Sequence, residues 1–250
     1  MIRAVLFDLD DTLIFAYANP APAWRAVAEE FAPYLGAAPV DAVAKALADS
    51  TAVFLSDDEN RRRWRLEQVV TRRSVVRHAL EKAGFPDLAK LAEDIADRYA
   101  SYREENMFLY PDAHQVIDHF REQGLRLGLV TNGATEVQNA KIDRFGLRNR
   151  FDHFQVEEEA GFGKPDGRAY RETLAALNVR PEEAIMIGDD LVWDVLSPKR
   201  EGLMGIWCNR FGLKLPPSIP AQPDHTITRL GELLDIYPAE QLRRCQLQGC

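Results

Sequence analysis

The sequence predicts an α/β protein, a doubly wound parallel sheet carrying an inserted α-helical segment. Three observations predict it. The chain opens on an apolar run, Val5-Leu6-Phe7, that ends in Asp8-Leu9-Asp10-Asp11-Thr12. After about residue 108, apolar strand-like runs alternate with helical segments, the pattern of a parallel sheet covered on both faces. Between them, residues 16–107 are rich in Ala, Arg, Glu and Leu and show almost no strand alternation. The first strand therefore belongs with the second half of the chain. The expected organisation is a Rossmann-like core of residues 1–15 and 108–240, a helical domain of residues 16–107, and a disordered tail of residues 241–250.

Each element follows from local pattern. Ala4 to Phe7 reads as a short buried strand. The insert reads as four helices: Pro20 to Tyr34, Val40 to Phe54, Asn60 to Ala83 and Asp87 to Glu105. Gly36, Asp57-Asp58 and Gly84-Phe85-Pro86 supply the breaks. Phe15 to Asn19 is the expected hinge. In the second half, Asp112 to Gln123 is a helix closed by Gly124, and Leu125 to Val130 a strand. Glu136 to Phe145 is a helix closed by Gly146, Phe151 to Val156 a strand, and Asp166 to Leu177 a helix. Ala184 to Ile187 is a strand, Trp193 to Arg200 a helix, and Met204 to Cys208 a strand. His225 to Ile227 and Leu230 to Ile236 complete the set.

Composition excludes several classes. The 250 residues are 46% hydrophobic and 28% charged, as in ordinary globular proteins. The formal net charge of -8 argues against a general nucleic-acid or anionic-membrane partner. No apolar run is long enough to span a bilayer, so no membrane partner is expected. The N-terminus runs straight into the acidic motif and does not read as a signal peptide. Three cysteines, two of them in the last six residues, form no disulfide framework. A reducing cytoplasm is the expected location. The sequence leaves the oligomeric state open.

Four motifs, each at a predicted strand end, carry chemistry. Strand alternation sends Asp8 and Asp10 to one side, at the edge where open α/β sheets bind ligands. Two carboxylates this close repel unless a cation sits between them, and Mg2+ is the natural oxygen-seeking choice. Thr131, followed by Asn132-Gly133, offers a hydroxyl and a turn for phosphate oxygens, or a helix cap. Lys164 stands in a loop just before a helix, where its charge can neutralise a phosphate or can simply be solvated. Gly188-Asp189-Asp190 with Asp194 is a second acidic cluster, either a metal site shared with Asp8 or a surface turn.

Taken in order, Asp8-Leu9-Asp10-Asp11-Thr12, Thr131, Lys164 and Gly188-Asp189-Asp190 with Asp194 resemble the haloacid dehalogenase superfamily, in its phosphatase branch. The helical insert directly after the first motif resembles that family's type-one cap. The resemblance implies a Mg2+-dependent phosphatase acting on a small phosphorylated metabolite. Asp8 matches the nucleophile that becomes an aspartyl phosphate, and Asp10 the acid/base. Thr131 and Lys164 match the phosphate-holding and charge-neutralising residues. Asp8, the Asp10 carbonyl and Asp189 match the metal ligands, with Asp194 as an outer partner. Asn132 is a further substrate-binding residue by position. In the cap, Arg65, Arg72 and Arg73 can face a second anionic group of the substrate. Their alternative is a solvated face paired with Glu59 and Glu67.

Rival readings share parts of this pattern. A phosphomutase uses the same core residues but shields its phosphoenzyme from water. A dehalogenase lacks the acid/base two residues after its nucleophile, so Asp10 argues against it. A binding scaffold without activity has no need of every catalytic side chain.

Overall fold

The computed structural model describes residues 1–16, 20–36, 38–85, 89–217 and 222–239. The expected tail (241–250) and most of the expected hinge (17–19) lie outside these residues. The chain divides into two compact units, Met1–Phe15 with Phe108–Cys250, and Ala16–Met107.

The first unit begins with β1 (Ala4–Phe7), whose four residues are all buried. The strand ends because the chain turns at once. Leu13 and Ile14 both donate to the Leu9 carbonyl, and Asp11 takes a left-handed φ of 59°, which Asp tolerates better than most side chains. β2 (Ile14–Phe15) follows.

The second unit holds α1 (Ala21–Phe31), α2 (Val40–Phe54), α3 (Asp58–Leu66), α4 (Gln68–Lys82) and α5 (Ala89–Glu105). The single helix expected over residues 60–83 is two helices. Glu67 leaves helical geometry at φ -111° and ψ 47°. Side chains of α4 then take the last carbonyls of α3: Gln68 Nε2 donates to Arg65 O and Thr71 Oγ1 to Arg63 O. Those bonds satisfy groups a helix end leaves open, which the hydrophobic period cannot reveal. α1 buries Trp24, whose ring stacks on Tyr99 of α5 with centroids 3.6 Å apart. Such a stack adds about 1 kcal/mol beyond the burial of two large rings.

Back in the first unit, β3 (Phe108–Leu109) pairs antiparallel with β2, and Phe108 stacks on Phe15. This ribbon clasps the two ends of the insert, and at two residues per strand it is too short for alternation to announce it. The remaining elements are α6 (Ala113–Glu122), β4 (Arg126–Thr131), α7 (Thr135–Arg144), β5 (His153–Val156), α8 (Glu157–Ala160), α9 (Gly167–Leu177), β6 (Ala184–Gly188), a π-helical turn (Leu191–Leu196), α10 (Ser197–Arg200), β7 (Met204–Cys208), β8 (His225–Ile227) and α11 (Glu232–Ile236). The helix expected from Trp193 thus starts two residues earlier and changes pitch, because the Asp190 carboxylate caps it at the Val192 and Trp193 N–H groups.

The six strands are all parallel, in the order β5-β4-β1-β6-β7-β8. Phe7 pairs with Leu129 of β4 on one side and Ile187 of β6 on the other. That register brings the carboxyl ends of β1, β4 and β6 to one edge. Every chemically loaded motif follows one of those ends or the neighbouring β5. One sheet face packs Leu6, Val130 and Met186 against Ala169, Tyr170, Leu174 and Leu177 of α9. No described helix is long and apolar enough to cross a membrane.

Candidate active site

Asp8 is the first residue beyond β1, and its N–H donates to Ile187 O at 2.9 Å. That bond continues the ladder by one residue and fixes the base of the side chain. The side chain is buried. Oδ1 accepts from Lys164 Nζ at 2.7 Å, while Oδ2 is buried with no partner among the described residues. Lys164 Nζ also donates to Asp194 Oδ1 at 2.7 Å. Asp194 Oδ2 accepts from the Asp190 N–H at 3.0 Å.

Gly188 makes this arrangement possible. A Cβ there would stand 2.2 Å from the Asp194 carboxyl carbon, so any larger residue would drive Asp194 out. Gly163 does the same for the lysine loop, since its Cβ would stand 2.5 Å from Asn132 Oδ1. Asn132 holds that loop in turn: Oδ1 accepts from Lys164 N at 2.8 Å and Nδ2 donates to Lys164 O at 2.6 Å. Asn132, expected on substrate, therefore spends its amide on the backbone of Lys164.

Asp8, Asp189 and Asp194 each bring a carboxylate oxygen within 4.8 Å of the others. Burial pushes all three carboxyl groups above their ordinary range. For Asp8, the Lys164 charge opposes this and the Asp10 charge adds to it. Asp189 is raised well up by burial, then by Asp8 and Asp194. Asp194 is pushed up to about 7, with Lys164 pulling it down and Asp8 pushing it up. For Lys164, burial alone would lower the ammonium, but Asp194 and Asp8 outweigh it and the net shift is upward.

One ammonium is thus set against three carboxylates: it contacts the buried Asp8 and Asp194, and the half-buried Asp189 stands beside them. Excess negative charge at this depth is costly unless a cation joins it. All the donors are oxygens, and Asp8 Oδ2 has no donor of its own. Both observations fit a hard divalent ion. Asp194 has protein donors on both oxygens, which suits an outer role.

The carboxylate of Asp10, expected in the metal set, is not in this group. The turn after β1 replaces simple strand alternation, and Asp10 pairs with Lys141 Nζ at 2.8 Å instead. Thr131 is buried and accepts from Gln138 Nε2. Lys141 and Gln138 lie on α7, three residues apart, and went unread because a helical Lys and Gln look like surface residues. Asp190 caps the following helical turn, its Oδ1 accepting from the Val192 and Trp193 N–H groups. Arg210 is a further unread residue at this edge: Nη2 donates to Thr12 O at 2.9 Å and the guanidinium lies over the Tyr110 ring.

In the helical unit the three predicted arginines part company. Arg73 is held by α5, with Nε donating to Asp97 Oδ1 at 3.0 Å, so it is a surface ion pair. Its partners are Asp97 and Glu93, not Glu59 or Glu67. Arg65 is half-buried near the end of α3. Arg72 is only 6% exposed. Its guanidinium lies 5.6 Å from the Trp64 ring centre and 5.9 Å from Tyr99, and Nε has no partner among the described residues. Burial, then the nearby Arg103 charge, lowers it to about 10.

A model of haloacid dehalogenase-like hydrolases matches residues 2–202. The phosphoserine phosphatase of Thermus thermophilus is 33% identical over 96% of this chain and all of its own length. The ribulose-1,5-bisphosphate 5-phosphatase of Halopiger xanaduensis is 33% identical over 94% of this chain and 99% of its own. The magnesium-bound HAD-hydrolase YfnB from Bacillus subtilis superposes with a TM-score of 0.70 at 25% identity, covering 94% of this chain and 98% of that one. With a buried aspartate–lysine–aspartate cluster at the expected sheet edge, the chain belongs to the haloacid dehalogenase-like hydrolases and is a phosphoric monoester hydrolase of that superfamily.

Proposed function

We propose that the protein is a Mg2+-dependent phosphatase that hydrolyses a small-molecule phosphomonoester through an aspartyl phosphate on Asp8. The observation that carries the reading is the Asp8 carboxylate itself. One oxygen is fixed by Lys164 and the other is buried and unpartnered, beside Asp189. An oxygen held this way is ready for in-line attack on phosphorus, and splitting the hydrolysis at a covalent intermediate makes two easier steps.

Asp8, the Asp10 carbonyl and Asp189 would hold the ion, with Asp194 orienting it from outside. The magnesium in the Bacillus subtilis structure supports that choice of metal. A bound Mg2+ supplies Lewis-acid neutralisation of phosphoryl oxygens. The protein's own groups do the rest. Lys164 neutralises charge that develops on the phosphoryl group. Thr131 holds a phosphoryl oxygen, and Asp10 moves the proton to and from the reacting oxygens.

The helical insert reads the leaving group. Among Arg65, Arg72 and Arg73, the buried Arg72, which forms no ion pair among the described residues, is best suited to a second anion on the substrate. The names of the two relatives point the same way: phosphoserine carries a carboxylate and ribulose bisphosphate a second phosphate. The test is phosphate release over a panel of metabolites, with and without Mg2+, for the wild type and Asp8→Asn. Turnover by Asp8→Asn at the wild-type rate would overturn the reading.

A further inference from the structure

Asp10 sits in a network that the chemistry above leaves unused. Lys141 Nζ donates to both Asp10 oxygens at 2.8 Å and to Gln138 Oε1 at 2.7 Å. Gln138 Nε2 donates to Asp10 Oδ2 at 3.2 Å and also to Thr131 Oγ1. Gln138 is 1% exposed, and the Lys141 side chain 15%. Both side chains project from one face of α7, as residues three apart do. The amide is thus fully used: its nitrogen joins Asp10 to Thr131, and its oxygen orients Lys141. An ammonium gripping both oxygens of one carboxylate removes that group's freedom to rotate.

We propose that Lys141, oriented by Gln138, is a positioning residue that holds the Asp10 carboxyl for proton transfer. The inference rests on Asp10 being the acid/base of the proposed reaction. In the first half-reaction an Asp8 oxygen bonds to phosphorus and the ester P–O bond breaks. The leaving oxygen takes the proton of the Asp10 carboxyl and departs as an alcohol, leaving a carboxylate. In the second, a water oxygen bonds to phosphorus and the Asp8–phosphorus bond breaks. Asp10 takes the water's proton, and phosphate leaves. Between the halves Asp10 is a carboxylate, the form that a two-oxygen contact with an ammonium suits. The contact strengthens as that charge develops, so it favours the transition state of the first half over its ground state. Gln138 ties this group to Thr131, so the proton donor and the phosphate-holding hydroxyl keep one spacing.

The test uses leaving groups of different need. p-Nitrophenolate departs without a proton, whereas an alkoxide does not. kcat/KM reports the steps up to release of the alcohol, so it isolates the first half-reaction. It is measured for p-nitrophenyl phosphate and for the alkyl phosphate the wild type hydrolyses best. General acid catalysis contributes about 10²–10⁴-fold, so Lys141→Met should lose roughly tenfold or more on the alkyl ester. Loss on p-nitrophenyl phosphate should be far smaller. Lys141→Arg should recover most of the alkyl activity, and Lys141→Gln, a second uncharged variant, should show the same selective loss, which keeps the test alive if Lys141→Met folds poorly. Equal losses on both esters, or none on either, overturn the proposal. Asp10→Asn is run alongside. If it too leaves the alkyl ester untouched, the acid/base reading falls and this inference with it. If Asp10→Asn loses alkyl activity and Lys141→Met does not, the inference alone falls.

Discussion

Lys164 holds its ammonium 2.7 Å from Asp8 Oδ1 although 156 residues separate the two in sequence. The same nitrogen reaches Asp194 Oδ1 at 2.7 Å. Lys164 is therefore the charge about which the first and last acidic motifs are assembled. Its backbone is held by Asn132, which follows β4, so a third strand end fixes where that charge stands.

Asp8→Asn removes the attacking charge and keeps the size. Turnover should fall by on the order of 10³-fold or more, with little change in folding. Acid-quenched wild type should carry a phosphoryl group on Asp8 by peptide mass spectrometry. A phosphoryl group found on another residue would refute the assignment.

Chelation should silence the enzyme and Mg2+ should restore it. Ca2+ should substitute poorly, because it prefers looser and higher coordination. Asp189→Ala should raise the Mg2+ concentration needed for half-maximal rate. Full activity in excess chelator would end the metal reading.

The raised carboxyls link metal to pH. Asp194 moves from 3.8 to about 7 on folding, and Asp8 and Asp189 also move up. The folded, metal-free protein therefore binds these protons more tightly than the unfolded chain. Their charge costs no stability below about pH 4, and the cost grows as pH rises through 7. A bound cation removes that cost and competes with the protons. The increase in Tm on adding Mg2+ should thus be larger at pH 8 than at pH 5. An equal or reversed difference between the two pH values would contradict the assignment.

Arg72→Met should demote substrates that carry a second anionic group relative to p-nitrophenyl phosphate, with the change mainly in KM. Arg73→Ala should leave the ranking unchanged, because Arg73 is engaged with Asp97 at the surface. The comparison is a metabolite ranking of both variants beside wild type. An unchanged ranking for Arg72→Met would move specificity elsewhere in the insert.

Much of this was legible in the residues. Strand-length apolar runs gave the parallel sheet, because strands buried on both faces carry continuous apolar stretches. The strand ends then announced Asp8, Thr131, Lys164 and Asp189, since charged and hydroxyl residues interrupt those runs abruptly. Local chemistry also marked the insert, whose Ala- and Arg-rich helices lack strand alternation. What the sequence by itself determined is therefore the order of the motifs and the kind of chemistry each side chain can do.

Tertiary structure decided which side chains meet. Only the strand order, with β1 between β4 and β6, puts Asp8 beside Lys164 and Asp194. Asn132 became a support for the Lys164 loop, and Asp190 a helix cap, because backbone donors lay within reach of both. Lys141 and Gln138 look like ordinary helix-surface residues until packing turns their face of α7 toward Asp10. Arg72 and Arg73 are adjacent in sequence, yet one is buried against aromatic rings and the other paired at the surface. Helical geometry turns neighbouring residues about 100° apart, so what each meets depends on how the helices pack and not on the residue itself.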